Sequence, residues 1–228
     1  METNRVKLWS DGTLNKLKCR IVVQGYLQGK STEDTWSPTA SFQTMKMFLA
    51  NATKNKTWVW QLDFVGAFLQ ASKKLHLHPS IYGELFPKFK QYCSQPLHLL
   101  KSMYGMMYSG KYWFQELREW LVNEGFKQRK TRPCLFWKVF PDGSVVKLLD
   151  YVNDILYFST PDTTLKIFWG NLTSRFDVKM LGQAHWYLSM WISQDSDFSI
   201  TIDQLYCRSI TLRFIDTAGT KKGNRNQK

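Results

Sequence analysis

The chain has 228 residues, 43% of them hydrophobic and 15% aromatic, and a formal net charge of +13. That content excludes a disordered chain and suffices for one large domain or two subdomains, and the charge points to a polyanionic partner such as nucleic acid or an anionic membrane surface. No apolar run is long enough to span a bilayer and the start, Met1 to Lys7, lacks an apolar secretory core, which predicts a soluble, intracellular protein.

In chain order, Ser10-Asp11-Gly12-Thr13 reads as a turn between two short strands. The second of these, 18–26, carries Lys18 and Arg20 one alternation apart on one face, a spacing that suits a pair gripping phosphate oxygens. After Pro38, the residues Phe42, Met45, Phe48, Leu49 and Ala52 recur at helical spacing. Trp58, Trp60, Leu62 and Phe64 then alternate onto one face of a half-buried strand and leave Asp63 on the other. The compact residues Val65-Gly66-Ala67 follow, and Phe68 after them.

Leu75-His76-Leu77-His78 is strand-like; its two histidines lack a third ligand and read as surface residues. Residues 111–123 give the clearest helix, with Trp113, Phe114, Leu117, Trp120 and Leu121 as a core stripe and Gly125 as the stop. Lys127, Arg129, Lys130 and Arg132 form a basic cluster suited to salt-sensitive, sequence-independent phosphate contacts. Pro141-Asp142-Gly143-Ser144 joins 135–140 to 145–152 as a hairpin, and Thr160-Pro161 opens a helix holding Leu165, Phe168, Leu172 and Phe176. Residues 217–228 read as a flexible basic tail. Cys19, Cys93, Cys134 and Cys207 have no Cys-x-x-Cys spacing and read as buried free thiols rather than a zinc site or disulfide scaffold. There is no internal repeat, and strands interleaved with helices favour an α+β fold with an antiparallel sheet.

The most informative segment is Tyr151-Val152-Asn153-Asp154, a tight turn between the apolar runs 145–149 and 155–158. An acid at such a tip can hold a divalent cation if a second acid from another strand reaches the same point, and Asp63 is the obvious second acid. Each of these residues also has an ordinary reading: Asp63 as a surface-facing strand residue, the turn as a plain hairpin tip, Phe68 as a core aromatic.

Asp63 with Phe68, then Lys101-Ser102-Met103-Tyr104-Gly105, then the Tyr151 turn, then Phe176-Asp177-Val178-Lys179-Met180-Leu181-Gly182 resemble, in that order, the polymerase motifs of copia-type retrotransposon reverse transcriptases. The segments 18–26 and 34–40 are similar to the stretches preceding the first acid of that family, so the resemblance runs from about Arg5 to about Asp216. It implies a right-hand palm with partial fingers over 1–216 and a thumb largely missing. The implied activity is RNA-directed DNA polymerisation by two magnesium ions, or manganese, using a primed RNA or DNA template and deoxynucleoside triphosphates. It further implies metal ligation by Asp63 and Asp154. Lys18, Arg20, Phe68, Gly105, Tyr151 and Lys179 would line the nucleotide pocket, with Phe68 as a deoxynucleotide filter, in a cytoplasmic or particle-associated protein.

Two departures stand out. Met107, Tyr108, Ser109 and Gly110 replace the family's Lys, Gln, Ala and Pro, and Asn153 replaces the first aspartate of Tyr-x-Asp-Asp. The second removes a negative charge from the implied catalytic set, which predicts a loss of about 3–6 kcal/mol of transition-state stabilisation. Asp150 does not repair it, since alternation sends it away from Asp63. The alternatives are a catalytically dead nucleic-acid-binding relic and an unfolded gene fragment.

Overall fold

A computed structural model describes residues 2–8, 13–28, 34–71, 82–84, 90–91, 95–160 and 165–204. An antiparallel pair, β1 (Glu2–Leu8) and β2 (Leu14–Ile21), stands apart from the main sheet. Next come α1 (Phe42–Lys54), β3 (Trp60–Phe64) and the short α2 (Ala67–Gln70). A ribbon of β4 (Tyr82–Gly83) and β5 (Leu97–His98) leads to α3 (Ser109–Asn123). Then follow β6 (Lys127–Arg129), β7 (Arg132–Val139), β8 (Val145–Tyr151), β9 (Asp154–Thr160), α4 (Leu165–Arg175) and β10 (Val178–Gln183). A small antiparallel sheet of β11 (Trp186–Tyr187), β12 (Met190–Gln194) and β13 (Ile200–Asp203) comes last.

The main sheet has six strands in the order β10-β3-β9-β8-β7-β6, each neighbouring pair antiparallel. The α+β expectation with an antiparallel sheet therefore holds. Alternation along the strands divides the core in two. Leu62, Phe64, Leu148 and Ile155 meet Trp113, Leu117 and Leu121 of α3 and Phe168 and Leu172 of α4. On the opposite face, Leu149, Leu156 and Phe158 meet Met45, Phe48 and Leu49 of α1 together with Tyr187 and Ile192.

Local chemistry sets the element ends. Ser41 caps α1, its Oγ accepting from the Thr44 amide at 3.2 Å. α3 ends in a pair of back-bonds, Phe126 N to Leu121 O and Gly125 N to Val122 O, with Gly125 at φ 87°. In the turn between β7 and β8, Gly143 takes φ 81° and the Asp142 carboxylate accepts from the Ser144 amide.

Several expectations shift. The second strand starts at Leu14 and stops at Ile21, because Val23 leaves the pair to donate to the Tyr104 carbonyl at 2.8 Å. Trp58 precedes β3 and sets its ring 5.1 Å from that of Phe198. α3 begins at Ser109, two residues early, a start hidden by the weak helix formers Ser109 and Gly110. Thr160 remains in β9, paired with Val145, and Phe176 lies just past α4. Phe42 is exposed at the first position of α1, and Cys19 is exposed where a buried thiol was expected, whereas Cys134 is buried. The turn at 10–12, His76, His78, Cys93, Cys207, Pro161 and the 217–228 tail lie outside the described residues.

Candidate active site

The β3–β9 register sets Asp63 directly opposite Asp154. The same ladder continues on both sides, with Lys179 of β10 opposite Asp63 and Tyr151 of β8 opposite Asp154. Lys179, Asp63, Asp154 and Tyr151 therefore form one row across four strands on one face. Directly opposed side chains in such a ladder have Cβ atoms about 4.5–5.5 Å apart, so the two carboxyls share one small volume. The register thus brings together the two acids singled out in the sequence.

The row sits at the strand ends because the β8–β9 loop is only Val152 and Asn153. Val152 takes φ 63°, a left-handed conformation costly for a β-branched residue. Two contacts hold it there: the Trp113 indole N–H donates to the Val152 carbonyl, and the Val152 side chain packs against the helix-side core. Asn153 is tied to β3 twice, its carbonyl accepting from the Phe64 amide at 2.8 Å and its Nδ2 donating to Asp63 Oδ1 at 2.5 Å. The amide thus occupies one oxygen of the Asp63 carboxylate.

Burial raises the Asp154 pKa, the Asp63 charge adds to the rise, and a hydrogen bond with Gln61 opposes it. Asp150 stands opposite Ile155, which itself faces Leu62, so it occupies the pleat that faces away from Asp63. It is 1% exposed, its Oδ1 has no partner, and burial pushes its pKa well above the carboxylate range. Beside it, burial and the Asp150 charge push the Cys134 thiol up to about 12.

A second wall stands nearby. Gly66, at φ 61°, turns the chain out of β3 into α2, which carries Phe68. The Phe68 and Tyr104 rings are 4.9 Å apart, and the guanidinium of Arg20, on β2, lies 5.5 Å from the Tyr104 centroid. Gly105, at φ 88°, is required by a backbone crossing: a Cβ there would collide with the Val23 carbonyl, and one on Gly25 with the Gly105 carbonyl. That packing explains its glycine without any ligand. Lys18 lies on β2 opposite Arg5, two residues from Arg20.

Four residues not singled out as site residues from the sequence shape this region. Tyr104 bridges Phe68 and Arg20, Trp113 pins the turn, and Gln61 hydrogen-bonds Asp154. Gln70 clamps the end of β3 to the approach of β10, donating to the Val65 and Asp177 carbonyls and accepting from the Asp177 amide. Only Tyr104 had a signal in the sequence, its place in the Lys101–Gly105 motif.

The chain matches the reverse transcriptase (RNA-dependent DNA polymerase) family over residues 7–221. It belongs to that family. Similar proteins include the retrovirus-related Pol polyprotein from transposon RE1 of Arabidopsis thaliana, 33% identical over 186 residues, 79% of this chain and 12% of that protein. The RE2 polyprotein of the same plant is 32% identical over 189 residues, 81% of this chain and 13% of its own length. The TNT 1-94 polyprotein of Nicotiana tabacum is 27% identical over 195 residues, 83% of this chain and 14% of that protein. The chain thus spans 12–14% of these polyproteins, and it is a retrotransposon reverse transcriptase domain, as the ordered motifs implied.

Reverse transcriptase domains generally use divalent metal ions, and the family implies a nucleic acid template and nucleotide substrates. Among the described residues no three His, Cys, Asp or Glu side chains gather as an ion site. Asp63 and Asp154 still offer a facing carboxylate pair, a donor set that fits one hard cation. Among the described residues no helix is long and apolar enough to cross a membrane.

Proposed function

We propose that this reverse transcriptase domain is an RNA-directed DNA polymerase whose chemistry is impaired by Asn153. The observation that carries the reading is the pairing of Asp63 with Asp154 across β3 and β9. On this reading the six-stranded sheet is the palm, the β1–β2 pair belongs to the fingers, and 1–216 form one unit ahead of a basic tail at 217–228.

Asp63 and Asp154 would hold the divalent cations, magnesium or manganese, with the neutral Asn153 side-chain oxygen as a poor third ligand. The chemistry such a cation would supply there is charge neutralisation at the phosphates and a lowered pKa of the primer hydroxyl. The chain's own residues do the positioning. Phe68 and Tyr104 wall the sugar of the incoming deoxynucleotide, Arg20 and Lys18 hold triphosphate oxygens, and Tyr151 borders the nucleotide pocket beside Asp154. Lys179, exposed beside Asp63, balances charge at the departing pyrophosphate. Gly105 contributes indirectly, by letting the Tyr104 loop cross Val23 closely enough to present Tyr104 to Phe68.

The impairment follows from charge. An amide at 153 removes one of three anions and hydrogen-bonds one of the remaining two, which lowers the rate by about two to four decades. The test is primer extension on a primed RNA template with magnesium or manganese, comparing the natural chain, Asn153→Asp and Asp63→Asn. The reversion is expected to extend about 100- to 10,000-fold faster than the natural chain, and Asp63→Asn not at all. Equal rates for the natural chain and the reversion would remove the impairment; a cooperatively folded reversion that never extends would remove the polymerase reading.

A further inference from the structure

On the carboxylate-bearing face of the sheet, α1 and strands β6 to β8 line a half-open pocket of about 330 Å³, within the range of small-ligand sites. Lys147, in its wall, lies four residues before Tyr151 on the same pleat, about 13 Å from the turn. Met47, Phe48 and Trp137 supply apolar walls, and Arg129 and Lys147 bring two positive charges. Among the described residues no acid lines it.

Lys147 is poorly served where it stands. Its Nζ donates to Asn51 Oδ1 at 2.5 Å and lies 5.5 Å from the Phe158 centroid, both neutral groups. Burial moves its pKa below the usual lysine range. A part-buried ammonium with neutral neighbours gains most from an anion that arrives with an apolar body. Such a ligand would cover the apolar wall and give Arg129 and Lys147 a shared counter-ion.

We propose that this cavity binds a small planar aromatic carrying one carboxylate or sulfonate, its ring against Trp137, Met47 and Phe48 and its anion between Lys147 and Arg129. A nucleotide fits less well. Its ribose and base would bring several polar groups against the mostly apolar wall of Met47, Phe48, Leu135 and Trp137, with only Asn51, Lys147 and Arg129 side chains to answer them. The site uses none of the residues of the Asp63 row, so it stands apart from the polymerase reading.

The experiment titrates the full chain with 8-anilinonaphthalene-1-sulfonate, beside the uncharged N-phenyl-1-naphthylamine and beside adenosine monophosphate as competitor. Saturable one-to-one binding of the sulfonate is expected, with the uncharged analogue at least about ten-fold weaker and no competition from the nucleotide. Lys147→Met and Arg129→Gln each weaken binding about ten-fold or more, and Met47→Trp, which fills the cavity, abolishes it. Cooperative urea unfolding of each variant separates loss of the site from loss of the fold. On the unsubstituted chain, the indole N–H resonance of Trp137, assigned with Trp137→Phe, shifts on binding. Equal binding of the uncharged analogue, unsaturable fluorescence, displacement by adenosine monophosphate, or an unmoved Trp137 resonance would each overturn the proposal.

Discussion

The β8–β9 hairpin carries one aspartate on each pleat, and the two faces of the sheet treat them differently. Asp154 joins a polar row, facing Asp63 and hydrogen-bonded with Gln61. Asp150 points into the pleat of Ile155 and Leu62, where it is buried with an oxygen that meets no partner. Burial leads the upward pKa shift in both, so burial is not what separates them. The separation lies in the neighbours. A carboxyl beside a second carboxyl and at a strand end can exchange its neighbours for a ligand, whereas one sealed in the core near Cys134 and Tyr187 costs stability.

The helix-side face also supports the carboxylate side, through Trp113. Trp113→Ala removes ring contacts with Phe64 and Phe176 and the donor that holds the Val152 carbonyl, and is expected to cost about 3–5 kcal/mol in urea unfolding. Trp113→Phe keeps most of the ring and loses the donor; a cost as large as that of the alanine variant would mean the turn, not the packing, dominates.

Asp150→Asn or Asp150→Leu is expected to stabilise the fold by about 1–3 kcal/mol at pH 7, because the natural side chain is buried without a full set of partners. The sign follows from the raised pKa. The folded state binds the Asp150 proton more tightly than the unfolded chain, so stability is greatest below the ordinary carboxylate pKa of about 4 and falls as pH rises toward the folded value. Unfolding curves of the natural chain and the Asn variant should therefore converge near pH 3; parallel curves would break the contrast between the faces.

On the other pleat the expected sign reverses. Asn153→Asp exchanges a hydrogen bond to Asp63 for like-charge repulsion, lowering stability without metal by about 1–2 kcal/mol, and saturating magnesium should return it. Thermal melts with and without magnesium measure this. The smallest effect is on titration: Asp63→Asn removes one cause of the raised Asp154 pKa and lowers it, while burial keeps it above the ordinary value. Carboxyl-carbon NMR titration reads the shift, and an unchanged Asp154 would mean the two acids do not sense each other.

Much of this comparison could be read from the chain. The alternation of Trp60, Leu62 and Phe64 around Asp63 announced its face, and the two apolar runs around Tyr151 announced the hairpin. Other parts gave no such signal. The β11–β12 turn places Leu188 and Ser189 at φ 49° and 64°, without the glycine or asparagine that marks such turns, so the small final sheet was not foreseen. The Lys18 and Arg20 spacing suggested a phosphate grip, but no local pattern could bring Tyr104, 84 positions beyond Arg20, over that guanidinium.

What the sequence alone determined is the period of each segment, the side to which each acid points and the family to which the ordered motifs belong. Those properties are local, because a pleat or a helical turn is set by nearest neighbours along the chain. Which residues face one another was decided only by the tertiary structure: Asp63 with Asp154 and Lys179, Asn153 with Asp63, Trp113 with Val152. Such pairings join segments far apart in the chain, and they are fixed by the register that buries both faces of the sheet at once.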